Sequence, residues 1–130
     1  MGVGAELSRM VEISRVQMAR VYDDPQPGEG QRVLADRLWP RGLRRDDPRV
    51  GHWCKQVAPS TELRRWYRHE QARFDDFAAR YEAELQTSEG TVALEELRRL
   101  AAAQPVTLVS ATKELSASHL VVLARLLADG

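Results

Sequence analysis

The chain has 130 residues, with 43% hydrophobic and 29% charged side chains, 19 basic groups against 19 acidic ones, and a single cysteine. This balance fits one folded domain able to bury a core without disulfides or metals, and zero net charge removes the bulk field that drives non-specific nucleic-acid binding. No run approaches the ~20 apolar residues of a membrane span, residues 1–9 lack a secretory leader's basic start and apolar run, and Cys54 alone permits neither an internal disulfide nor a thiolate zinc cluster. A cytoplasmic protein is expected, with no membrane partner and with residues 1–10 read as a disordered lead-in.

Val11 to Val16 and Met18 to Tyr22 are β-prone, and Asp23 to Gly30, rich in proline and glycine, reads as a loop. Val33 to Leu38 is apolar except for Asp36, as suits a central strand covered on both faces, and Pro40 and Gly42 end it. Asp47 and Pro48 read as a helix start, with Val50, Trp53, Cys54 and Val57 at helical spacing. Pro59 stops that segment, and Ser60 caps a second helix whose apolar side carries Leu63 and Trp66. Phe74, Phe77, Ala78, Tyr81 and Leu85 recur at steps of three and four, the clearest amphipathic helix in the chain, and its aromatics are read as core. Thr87 to Gly90 reads as a loop, and Val92 to Ala101 as a helix ending before Pro105. Val106 to Ser110 reads as a compact strand, and His119 to Leu127 as a closing helix capped by Ser116. This order of elements defines an α/β fold, a single domain with a mostly parallel sheet and helices packed on its faces.

Ligands of open α/β sheets bind beyond the carboxyl ends of the strands, which places a site where 37–42 and 110–113 meet. Arg37 and Arg41 supply planar forks matched to carboxylate and phosphate, with the Trp39 indole between them. Lys113 adds a point charge, and amides near Ser116 to Ser118 are available to an anion at the start of the last helix. His119, and less so His69, are the candidates for proton transfer, with Ser110 and Ser118 beside them. Asp36, if buried, needs a partner, and orienting Arg37 or Arg41 is its first expected duty ahead of general-base work. Lys55, Arg64 and His69 lie on basic segments able to close over a bound anion. Each has a plainer reading: Lys113 as an exposed lysine, Ser116 as a cap, the tryptophans and Cys54 as core. Residues 32–69 hold ten Lys or Arg against four Asp or Glu, whereas residues 70–99 hold four against eight, so the positive surface lies in the front half.

The run Arg32-Val-Leu-Ala-Asp-Arg-Leu-Trp-Pro-Arg-Gly42, followed by Trp53, Lys55, Ala58-Pro-Ser-Thr-Glu-Leu-Arg64, Phe77, Arg80-Tyr81 and Glu84-Leu85, resembles the YeaO-like family, a domain of unknown function (number 488), over about residues 18–127. The resemblance implies a small bacterial α/β domain of unassigned activity. More distant relatives resemble it with cysteines in the last strand and before the closing helix's histidine, where this chain has Ser110 and Ser118, so a thiol mechanism is not implied here.

Three functions stay open. One is an enzyme or binding protein for a small anionic ligand, phosphorylated or carboxylated, held by an Arg/Lys/His pocket. A protein-interaction or assembly domain is the alternative, and a nucleic-acid module using Arg41, Arg44, Arg45, Arg49, Arg64, Arg65 and Arg68 is the second. No cofactor is called for, the three histidines share no metal-ligand spacing, and nothing assigns an oligomeric state.

Overall fold

The structure, a computed structural model, describes residues 16–68 and 70–129. Residues 1–10, most of the run Val11 to Val16, and His69 lie outside the described residues. Four strands, β1 (Val16–Arg20), β2 (Gln31–Leu34), β3 (His52–Trp53) and β4 (Val106–Ser110), form one sheet in the order β1-β4-β2-β3, every pair parallel. The helices are α1 (Thr61–Tyr67), α2 (Phe74–Glu84), α3 (Ser88–Ala103) and α4 (His119–Asp129). This is the α/β class, with a parallel sheet, that the order of elements implied. All five residues of β4 are buried, as its unbroken apolar run requires.

Strand alternation divides the core. Val33, Val106 and Leu108 pack with Leu63, Phe77, Tyr81, Leu97, Leu120 and Leu123 from all four helices. Leu34 and Val109 point the other way, against Val21, Val50 and the partly buried Trp39, Leu43 and Trp53. Parallel neighbours require each connection to return the length of the sheet. The two short returns, 21–30 and 35–51, bring Val21 and Val50 to this second face, while the long return between β3 and β4 carries α1, α2 and α3.

Several local expectations change. β2 stops at Leu34 rather than Leu38: the amide of Ala35 still reaches the Val109 carbonyl at 3.1 Å, but Leu38 is 73% exposed. The helix expected from Asp47 is instead a turn, the short strand β3 and one 3-10 turn at Lys55–Val57. Asp47 accepts from the Arg49 amide at 2.9 Å and closes the turn. The apolar spacing misled because its members serve two faces: Val50 belongs to the second cluster, Cys54 and Val57 to the first. Thr87 to Gly90 is a helix start, with the Thr87 hydroxyl accepting from the Gly90 amide at 3.2 Å. Ser60 caps α1 as expected, accepting from the Leu63 amide at 3.1 Å. Ser118, not Ser116, caps α4: its hydroxyl accepts from the Leu120 amide at 3.2 Å.

Candidate functional site

β2 and β4 are neighbours, so their carboxyl ends meet, and the meeting point is Asp36. One carboxylate oxygen, Oδ1, accepts from the Ser110 hydroxyl at 2.7 Å, and Oδ2 accepts from the Ala111 amide at 2.8 Å. His119 Nε2 lies 3.3 Å from Oδ1 and 2.7 Å from the Ala35 carbonyl oxygen. Both neighbours are acceptors, so Nε2 carries a proton and donates to them. The expected pairing of Asp36 with Arg37 or Arg41 is therefore replaced by a Ser110–Asp36–His119 cluster. Burial alone would raise the Asp36 carboxyl, but the bonds from His119, the Ala111 amide and Ser110 outweigh it and hold the carboxyl below its ordinary value.

Above this cluster opens a cavity of about 710 Å³. Pro59, Tyr67 and Phe77 form its apolar wall, with the Tyr67 and Phe77 rings stacked at 4.2 Å between centroids. Arg64, Arg65 and Lys113 place three cations on its lining, and Glu114 adds a carboxylate to that of Asp36. The buried hydroxyl of Thr112, also on the lining, has no hydrogen-bond partner among the described residues. Of the residues proposed from sequence, Asp36, Arg64, Ser110, Lys113, Ser118 and His119 meet here.

The rest do not. Arg37 turns away, donating from Nε to the Pro59 carbonyl at 3.0 Å and from Nη2 to that of Ala58 at 3.1 Å. With Lys55 it lines a second, smaller cavity of about 390 Å³, where Glu84 is held by the Ser60 amide and hydroxyl at 2.8 and 2.6 Å. Arg41 has an exposed side chain and gives its carbonyl to the Tyr22 hydroxyl at 3.0 Å, while Trp39 packs edge-on against Trp53. His69 lies outside the described residues. The amides expected to be free before α4 are used internally, Ala117 to the Glu114 carbonyl and Ser118 to that of Leu115. Cys54 is buried, and burial raises its thiol, as the core reading held. Arg65, Thr61 and Glu114 entered the lining without being singled out for it. Arg65 carried no such signal, because successive positions on a helix do not share a face.

Asp36→Asn is expected to cost about 2 kcal/mol at neutral pH, because the amide nitrogen cannot accept and charge-assisted bonds are lost. A carboxyl held low in the fold contributes stability above its unfolded value of about 3.9, and that contribution disappears as pH falls through the lower folded value. Urea midpoints taken between neutral and strongly acid pH check this: the native chain should lose stability on acidification, with a shallower acid loss in the variant.

Fold and geometry thus define a parallel α/β domain with a cation-lined cavity at the carboxyl ends of its central strands, over a carboxylate–imidazole pair. The chain belongs to the family described as the inactive DUF488-N3 subclade, whose model matches residues 15–130. It is 57% identical over 118 residues to an uncharacterized protein of Mycobacterium tuberculosis, covering 91% of this chain and 98% of that protein, and equally similar to one of Mycobacterium bovis. Against the uncharacterized protein YeaO of Escherichia coli K12 it is 38% identical over 109 residues, 84% of this chain and 93% of that protein, which bears out the YeaO-like resemblance. No solved structure matches the chain. No helix among the described residues is long and apolar enough to cross a membrane.

Proposed function

We propose that this chain is a binding protein for a small phosphorylated or carboxylated molecule, held in the large cavity without covalent chemistry. The observation that carries the reading is the convergence of Arg64, Arg65 and Lys113 on one cavity whose polar floor is already internally bonded. Guanidinium forks and an ammonium on a common lining favour an oxyanion, and the Pro59, Tyr67 and Phe77 wall favours an apolar body attached to it.

The order of the polar cluster supports binding over catalysis. A nucleophilic serine needs the imidazole between its hydroxyl and the carboxylate. Here the carboxylate lies between: Ser110 donates to Asp36, and His119 faces Asp36 and a backbone carbonyl. The Ser110 oxygen also accepts from the Thr112 amide at 3.2 Å, which holds it in place as a structural hydroxyl. The family description as inactive agrees with this reading.

Calorimetric titration with a panel of phosphorylated and carboxylated metabolites tests it. At least one should bind, and Arg64→Gln and Lys113→Gln should each weaken that ligand about tenfold, or about 1.4 kcal/mol. Arg41→Gln should leave the affinity unchanged. Binding insensitive to Arg64 and Lys113 would refute the assignment.

A further inference from the structure

A second surface, outside the lining of the cavity, is formed by the 37–45 turn and Trp53. Trp39 and Trp53 meet edge to face, their centroids 5.4 Å apart. Both indole N–H groups are spent on backbone carbonyls, Trp39 on Leu43 at 2.8 Å and Trp53 on Asp36 at 2.6 Å. Their rings therefore serve as a platform for cations. The Arg45 guanidinium stands 4.9 Å from the Trp39 centroid and 5.7 Å from that of Trp53, and the Lys55 ammonium stands 5.3 Å from Trp53. Stacking of this kind fixes where a cation sits while leaving its charge unneutralised.

Carboxylates are not shared evenly on this turn. Arg49 is paired with Asp47 at 2.8 Å and Arg44 with Asp46 at 3.6 Å. Among the described residues, Arg41, Arg45 and Lys55 have no carboxylate within ion-pairing distance. On the same turn Leu38, 73% exposed, is the most exposed large apolar side chain described.

We propose that this corner docks an acidic segment of a partner protein, its carboxylates meeting Arg41, Arg45 and Lys55 and an apolar side chain covering Leu38. Two cations held on indole faces, with the unpaired Arg41 and an exposed aliphatic group on the same turn, call for both features in one ligand. A nucleic-acid strand fits less well, because the cations cover the indole faces on which bases would stack and Asp46 and Asp47 interrupt a phosphate track.

The test is fluorescence polarisation with a short fluorescein-labelled peptide alternating glutamate and leucine, its glutamine-for-glutamate counterpart, and an oligouridine of similar length. Arg45→Glu and Leu38→Ser are the variants; both positions are exposed, and circular dichroism confirms that the variants keep the fold. Saturable binding of the acidic peptide is expected, weakened by salt, at least about tenfold weaker in Arg45→Glu, and severalfold weaker in Leu38→Ser. No binding, equal binding of the glutamine peptide, indifference to Arg45→Glu, or preference for oligouridine would overturn the proposal.

Discussion

Replacing Arg32 with methionine is expected to destabilise the fold by about 3 kcal/mol, the penalty for removing one partner of a buried ion pair. Arg32 sits in β2 and meets Glu29 through both nitrogens of its fork, Nε to Oε2 at 3.0 Å and Nη2 to Oε1 at 3.1 Å. The two side chains are only 3% and 8% exposed. The Arg32 bond lowers the Glu29 carboxyl, against the opposing effect of burial. Nη1 also donates to the Arg49 carbonyl at 2.9 Å, so one side chain ties the 21–30 return to the 35–51 return. Methionine fills similar space but leaves the Glu29 carboxylate buried without its counterion. A Glu29→Gln/Arg32→Met double variant should therefore be more stable than Arg32→Met alone, the coupling expected of groups in contact. Urea unfolding with an unchanged slope checks both. A loss below about 1 kcal/mol for Arg32→Met would place the pair among solvated surface pairs.

The second large effect separates two glycines with nearly the same backbone. Gly28 has φ +84° and Gly30 has φ +74°, a left-handed region that penalises any side chain by about 1–2 kcal/mol. A Cβ on Gly28 would meet nothing within 4 Å, whereas one on Gly30 would fall 1.9 Å from the carbonyl oxygen of Pro105. That carbonyl accepts from the Gln31 amide at 2.9 Å where β2 and β4 begin to pair, so it has little freedom to move. Gly30→Ala is expected to lose about 3 kcal/mol or more, combining the backbone penalty with forced displacement, and Gly28→Ala only about 1. Thermal unfolding of the two variants side by side reads the difference, and equal losses would show that the contact at Pro105 yields.

What was legible in the sequence follows from the range of the interactions. Ser60 capping α1, the aromatic stripe of α2 and the buried run of β4 each depend on residues a few positions apart, and each was read correctly. That the ends of β2 and β4 are neighbours was also legible, because it follows from topology, but of the two segments expected to form a site there only 110–113 lines the cavity and 37–42 does not. The direction of individual side chains was not legible. Asp36 finds its partners in Ser110, Ala111 and His119, at least 74 residues away, so no local pattern distinguishes that outcome from a pairing with Arg37 one position on. Arg37 and Arg64 are chemically alike, yet one is spent on two carbonyls and the other lines the cavity. Between Val50 and Val57, spacing that suits a helix arose because apolar residues on a turn, a two-residue strand and a 3-10 turn serve opposite faces of the sheet.

The most direct test of anion binding in the cavity is a phosphate titration of the ¹⁵N-labelled protein followed by amide shifts. Saturable changes centred on residues 61–65 and 110–114, abolished in a Lys113→Gln/Arg64→Gln variant, are the predicted result. Changes centred instead on the 37–45 turn, or none at all, would contradict it.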